Sequence, residues 1–183
     1  MQVTVITGSP HKKGTTSLLA DEFIRGAVEA GHIVFRFDAA FEKVSPCLGC
    51  DGCRTSGTQC VQHDSMEKLN PSLLASDCIV FVTPLYYFGM SAQLKTVIDR
   101  FYANNSKLQS SKQAILLTAA ADSETWTVEA LDSHYGTILR YLGWQLAGTL
   151  LAMGCAVRMD IEKTDYPNQA YLIGKTLGQK KTK

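Results

Sequence analysis

The chain has 183 residues, of which 45% are hydrophobic and 19% charged, and its formal net charge is +1. That length suits one domain with a sizeable core, and the near-neutral balance gives no electrostatic reason to expect nucleic acid or an acidic membrane surface as partner. No run approaches the roughly 18 apolar residues of a membrane span and the N-terminus enters a strand pattern with no signal peptide, so the expected location is cytoplasmic, where the six cysteines should be reduced, metal-bound or catalytic rather than paired.

The first stretch, Val3 to Ser17, reads VTVITGSPHKKGTTS. Val3, Val5 and Ile6 predict a buried parallel strand, and Gly8, Pro10 and Gly14 break it before Thr16 or Ser17 can cap a helix over Ser17–Ala30. A turn at a helix N-terminus presents free N–H groups and the positive end of the helix dipole to an anion. Ser9, Thr15, Thr16 and Ser17 add hydroxyl donors, and His11, Lys12 and Lys13 add positive charge. An ordinary capped turn needs no such set, so the stretch points to a phosphate. Gly8 and Gly14 are too far apart for a Walker loop, and Thr15 stands where its lysine would be. Ser9, Pro10 and His11 occupy the offsets at which a dinucleotide fingerprint needs glycine. A hydroxyl-lined loop for a single phosphate remains.

Gly31 ends the helix, and Ile33, Phe35 and Phe37 alternate as a second strand. Residues 39–63 form a long, weakly periodic, cysteine-bearing connection, the kind that carries function or its own cofactor. Asp64 or Ser65 can cap a helix running to about Ala75. CIVFVTP, residues 78–84, is apolar on both faces, as at the centre of a parallel sheet. Pro84, Leu85, Tyr86, Tyr87, Phe88 and Gly89 then form an exposed aromatic turn before a helix over Met90–Tyr102. Strands at Gln113–Thr118 and Gln145–Ala152, helices at Glu124–Tyr141 and Tyr166–Leu177, and a small-residue turn at Ala119–Ala121 complete the pattern. A single domain is expected over 1–178, with a flexible tail at 179–183. Alternating strand and helix predicts an α/β doubly wound sheet whose ligands sit beyond the carboxyl ends of the strands. A phosphate loop after the first strand, aromatics after the third and small residues after the fourth together suit FMN.

Two stretches carry a resemblance. Gly8-Ser9-Pro10 with Gly14-Thr15-Thr16-Ser17, and Thr83 to Lys95 (TPLYYFGMSAQLK) ending in Ile98-Asp99-Arg100, are similar to the NADPH-dependent FMN reductase family, on the branch that includes iron–sulfur flavoproteins. The likeness covers most of residues 1–120. It implies a flavodoxin-like three-layer, five-stranded parallel sheet of order 2-1-3-4-5. It further implies that Ser9, His11, Thr15, Thr16 and Ser17 hold the FMN phosphate while Pro84, Leu85, Tyr86, Tyr87 and Phe88 line the ring. Hydride transfer from NAD(P)H to the flavin, a quinone or other small acceptor, and a homodimer or dimer of dimers follow from the same resemblance. No catalytic residue is assigned. The alternative function is an electron carrier docking on protein partners, and a redox sensor is a third.

Cys47, Cys50, Cys53 and Cys60 lie at gaps of two, two and six residues, with Gly49, Gly52 and Gly57 to allow sharp turns. Such spacing suits a [4Fe–4S] cluster. A zinc site, which more often uses two separated pairs, and reduced thiols without metal stay open. Cys78 reads as a small buried hydrophobe, Trp126 and Trp144 as packing residues, and Lys95, Asp99 and Arg100 as helix-surface charges.

Overall fold

Five runs rich in β-branched and aromatic residues pair in an all-parallel sheet: β1 (Gln2–Thr7), β2 (Ile33–Asp38), β3 (Cys78–Pro84), β4 (Gln113–Ala119) and β5 (Gln145–Ala152). The computed structural model describes residues 1–55 and 60–179, and its sheet order is β2-β1-β3-β4-β5. This is the flavodoxin-like order that the resemblance implies. Every residue of β3 is buried, because a strand flanked on both sides and covered on both faces meets no water. Beside it, β1 is in register as Val3 opposite Cys78 through Thr7 opposite Val82. The edge strand β5 slips register between Ala114 and Ile115 of β4, so that Ile115 faces Gly148; this is where the sequence pattern of the fifth strand weakens.

Helices pack on both faces. α1 (Thr15–Glu29) and α5 (Tyr166–Lys175) cover one face through Leu18, Leu19, Phe23 and Ala170. On the other, α2 (Met66–Ala75), α3 (Ala92–Asp99) and α4 (Glu129–Leu142) bury Leu69, Leu94, Val97, Leu131 and Tyr135. A ring cluster anchors that second layer: Phe81 of β3 meets Tyr135 edge-on at 5.8 Å and stacks on Trp144 at 6.4 Å, worth about 0.5–1.5 kcal/mol per pair beyond the area buried. Trp144 also donates from Nε1 to Leu108 O at 2.7 Å. It is a core residue, as its sequence suggested.

Several boundaries differ from the sequence expectation. α1 begins at Thr15 with Gly14 at the N-cap and no side-chain cap, because the Ser17 hydroxyl donates instead to Lys12 O at 2.8 Å. α3 ends at Asp99 and gives way to a 3₁₀ turn, Arg100–Asn104, where Arg100 turns inward. α4 starts at Glu129, behind a 3₁₀ turn over Thr125–Val128. A short helical turn, Arg158–Ile161, follows β5 where no element was expected. Gly57 of the cysteine loop, and residues 180–183 of the expected tail, lie outside the described residues.

The sheet order places the change of direction between β1 and β3. β1 continues by way of α1 to β2 on one side, and β3 by way of α3 to β4 on the other. The loops leaving these two strands diverge, and a crevice opens at their carboxyl ends.

Candidate functional site

The first loop folds on itself before α1 starts. Ser9 Oγ accepts the His11 N–H at 3.1 Å, and His11 O accepts the Gly14 N–H at 3.0 Å. The first ladder bond of α1 is Leu18 N–H to Gly14 O, 3.3 Å. Hence the N–H groups of Thr15, Thr16 and Ser17 precede the ladder and point out of the helix N-terminus, where the helix dipole adds positive potential. Ser17 Oγ also lies 3.5 Å from Arg36 Nη2, so its hydroxyl serves the loop and not the crevice.

The turn after β3 is a tight reversal. Tyr86 N–H donates to Gly89 O at 3.0 Å, and Gly89 N–H returns to Tyr86 O at 3.1 Å. The two residues between them are left-handed, Tyr87 at φ 46° and Phe88 at φ 64°, a conformation that costs a residue with a Cβ about 1–2 kcal/mol. Tyr87 is 100% exposed. Phe88 stacks on Trp126 with ring centroids 5.3 Å apart. Trp126 therefore flanks this turn at the surface and is not a core packing residue.

Loop and turn face each other across a cleft of about 560 Å³. Of the residues singled out from sequence, Ser9, His11, Thr15, Pro84, Leu85 and Tyr86 line it together. Thr16 and Ser17 are buried behind the loop, and Tyr87 and Phe88 border a smaller adjoining hollow with Leu85 and Ala121. Ala119 and Ala121 form the floor, which is where small residues were expected. The sequence reading missed the far wall, Cys155 to Arg158. It comes from the carboxyl end of β5 and is held by Cys155 N–H to Ala120 O at 2.8 Å; its position beyond a strand end is the signal that would have found it. Burial pushes the Cys155 thiol pKa up, so it is a neutral wall residue. Among the described residues His11, Lys12, Lys13 and Arg158 border this cleft, and no carboxylate does. The site is locally cationic in a chain of nearly zero net charge.

The two sides are fixed to one another by Ser91. Its Oγ donates to Gly8 O at 2.8 Å, and its N–H donates to Thr83 Oγ1 at 2.9 Å. A Cβ on Gly8 would collide with Ser91 Oγ and with Leu94. Glycine is required there by close approach.

The cysteine loop is closed from the core. Arg100, 2% exposed, donates through Nη1 to Asp64 Oδ2 at 2.6 Å and Ser45 O at 2.7 Å, and through Nη2 to Gln62 O at 3.4 Å and Asp64 Oδ1 at 3.3 Å. The expected surface charge is thus a buried one, since Asp64 also accepts the N–H groups of Ser45 and Met66 and draws the guanidinium inward. Burial alone would raise the Asp64 pKa; Arg100 and the two N–H groups override it and hold the carboxyl below its usual range. Asp64, not Ser65, satisfies the first turn of α2. Along the loop, Gly49 is left-handed at φ 62°, as a sharp turn requires. Cys47 and Cys50 are exposed, and Cys53 and Cys60 half-buried. Among the described residues no three Cys, His, Asp or Glu side chains gather closely enough to hold a metal ion. The donor set fits an iron–sulfur centre in type, four thiols on one loop, and the loop holds them apart. Cys78 is fully buried, its thiol pushed up to about 12 by desolvation, which bears out its reading as a small hydrophobe.

A family model, NADPH-dependent FMN reductase, matches residues 1–155. The chain belongs to this family. An iron–sulfur flavoprotein of Archaeoglobus fulgidus is 35% identical over 100 residues, 55% of this chain and 45% of the relative. A Bacillus subtilis protein described as an NAD(P)H-dependent FMN-containing oxidoreductase is 26% identical over 162 residues, 84% of this chain and 86% of that one. The chain spans about half the length of most of the iron–sulfur flavoproteins it matches. Among solved structures, an NAD(P)H:quinone oxidoreductase from Methanothermobacter marburgensis superposes with a TM-score of 0.74 at 19% identity, covering 97% of this chain and 96% of that one, a likeness of fold. In this FMN reductase family member the matched region holds the phosphate-type loop, the aromatic turn and all but the last three residues of the cleft's far wall.

Two substitutions test these geometries. Tyr87→Asn keeps the left-handed turn while removing a side chain that packs on nothing, and should stabilise the fold by about 1 kcal/mol; Tyr87→Val, β-branched, should do the opposite in the same denaturant titration. Asp64→Asn leaves a buried guanidinium without its counter-charge, an expected loss of about 3–5 kcal/mol at neutral pH. Because the folded pKa of Asp64 is depressed, its contribution is present above the unfolded value near ~3.9 and is lost as pH falls through the lower folded value. Stability measured from pH 7 downward should therefore show a smaller acid loss in the Asn variant.

Proposed function

We propose that the chain is an FMN-dependent NAD(P)H oxidoreductase that passes electrons to a small acceptor such as a quinone or free flavin. The observation that carries this reading is the cleft itself. One end is an anion cradle built on a helix N-terminus and the other a wall of proline, leucine and tyrosine over alanines, in a chain of the FMN reductase family. When bound, FMN supplies the chemistry, accepting hydride from the nicotinamide and delivering electrons to the acceptor.

The residues have separate tasks. Ser9 and Thr15 offer hydroxyls to the phosphate, while Thr16 and Ser17 contribute N–H groups of the first turn. Lys12, Lys13 and Arg158 supply the positive field that draws in phosphate-bearing compounds, and His11 stands among them as a further polar group of the cradle. Pro84, Leu85 and Tyr86 orient the flat ring, and Ala119 and Ala121 let it approach the sheet edge. Tyr87, Phe88 and Trp126 present apolar ring surface to solvent beside the cleft, which suits contact with a second copy in a homodimer. Six cysteines without a disulfide suit the cytoplasm, and no helix among the described residues is long and apolar enough to cross a membrane.

Cys47, Cys50, Cys53 and Cys60 are the residues that would hold a [4Fe–4S] centre. The reading is supported by four thiols on one loop and by similarity to proteins named iron–sulfur flavoproteins. The same similarity gives weaker support to a second reading, an electron carrier that takes its electrons from a protein partner. Anaerobic addition of excess NADPH or NADH to the purified flavoprotein distinguishes the two. Loss of the visible flavin band is the expected result, and persistence of the band with both nucleotides would leave only the carrier.

Placement of the phosphate has its own check. Thr15→Val removes one donor and keeps the helix start, so FMN affinity should drop about tenfold, the worth of one charge-assisted hydrogen bond. Equal affinity in a flavin-fluorescence titration would move the phosphate elsewhere.

A further inference from the structure

Tyr87 and Phe88 hold two successive left-handed positions, which glycine and asparagine ordinarily fill. The Tyr87 ring is fully exposed, so no packing within the chain offsets its share of the cost. Strain of this kind persists where a side chain must be presented to something outside the fold. Phe88 is braced from behind, its ring plane 30° from that of Trp126. Both rings border a hollow of about 260 Å³, lined also by Leu85, Ala121, Asp122 and Thr127. Leu85 and Ala121 line the larger cleft as well, so hollow and cleft share a wall. A cavity of about 150 Å³ takes a benzene ring, and the hollow has room for a compound of two fused rings. Its charge is opposite to that of the cleft. Asp122 is the one charged residue lining it among the described residues, whereas Lys12, Lys13 and Arg158 border the cleft. The carboxylate is held in place, since Oδ1 accepts the Glu124 N–H at 2.8 Å and the Asp122 carbonyl accepts the Gly154 N–H at 2.9 Å.

An aromatic wall with one fixed carboxylate repels an anion and accepts a flat ring that is uncharged or cationic. We infer that this hollow is the acceptor subsite, and that it selects uncharged or cationic flat acceptors stacked against Phe88, while the cationic cleft keeps the phosphate-bearing reagents. This rests on the reading of the chain as an FMN-dependent oxidoreductase. A quinone bound there leaves as hydroquinone, having gained two electrons and two protons in all, which enter the flavin as hydride from NAD(P)H together with one proton from solvent. Two portals of opposite charge thus divide the two substrates by chemistry.

Equilibrium binding to the oxidised, FMN-loaded protein, with no nucleotide present and at low ionic strength, tests it. The probes are menadione, which is uncharged, and a naphthoquinone sulfonate, which carries the same ring pair and a negative charge. Binding is read by quenching of tryptophan fluorescence, corrected for quinone absorbance, with FMN content and thermal unfolding as controls of the fold. Menadione is expected to bind about fivefold more tightly than the sulfonate, the factor of one surface charge pair. Asp122→Asn keeps an Oδ1 for the Glu124 N–H and should bring the two affinities together. Trp126→Phe should remove the quench, because the other tryptophan, Trp144, lies in the core. Tighter binding of the sulfonate to wild type places the acceptor in the cationic cleft and overturns the inference, as does a quench that survives at full amplitude in Trp126→Phe. Where Trp126→Phe does not retain FMN, the affinity ratio in Asp122→Asn decides alone, and an unchanged ratio refutes the subsite. Binding of neither quinone also refutes it and leaves the hollow to a second copy of the chain. Bleaching of the flavin by NADPH keeps the oxidoreductase reading standing through each of these failures, and a flavin band that persists overturns both.

Discussion

The hydroxyl of Ser91, fully buried between the loop after β1 and the turn after β3, sets the spacing on which the cleft depends. It donates to Gly8 O, while the Gly8 N–H donates across to Val82 O at 2.8 Å. The backbone of the first loop is thereby held against β3 from two directions. Ser91 also starts α3, its Oγ accepting the Leu94 N–H at 3.4 Å. One side chain therefore couples the helix behind the aromatic turn to the loop that begins the anion cradle. A buried hydroxyl with both functions satisfied is stiff, and a stiff junction is what keeps a cradle and a ring wall at a constant separation. The strand ends continue the same logic, with Leu85 N–H on Ala119 O and Ala120 N–H on Ala152 O, each at 2.9 Å.

Most of the sheet was legible because its physics is local. A central parallel strand must be apolar on both faces, and CIVFVTP declared β3 to the residue. The order of the strands was not legible from pattern, since pairing is a long-range property; it came from the resemblance. The start of α1 lies two residues before the point its hydroxyl residues indicate. Thr16 and Ser17 have the chemistry of caps, but Ser17 is drawn to Lys12 O and Arg36, a competition that only the folded loop reveals. The half of the site after β5 escaped notice because Cys155 to Arg158 have no motif of their own. They matter only through where the strand delivers them.

Charge shows the same division between what totals and positions can tell. A net charge of +1 says nothing about the cleft, whose charged lining is wholly cationic. Lys95, Asp99 and Arg100 stand within one sequence segment and look alike on paper. Lys95 and Asp99 form an exposed i,i+4 pair at 2.6 Å, worth a few tenths of a kcal/mol. Arg100, one residue further, is rotated into the core by the change to a 3₁₀ turn and carries the tie to Asp64. The difference lies in which side of the helix end faces the sheet.

The closure of the cysteine loop by Arg100 has a dynamic consequence. Ser45 and Gln62 are joined by the Arg100 guanidinium, by Asp64, which accepts from both Arg100 and the Ser45 N–H, and by the Gln62 side chain on Pro46 O at 2.9 Å, and neither belongs to the sheet ladder. These contacts can break while the five strands stay paired, so the neighbouring Pro46 and Val61 are expected to open at a free energy below that of global unfolding. The amides of Cys47 and Val61 should exchange with solvent hydrogen on a faster clock than those of β3.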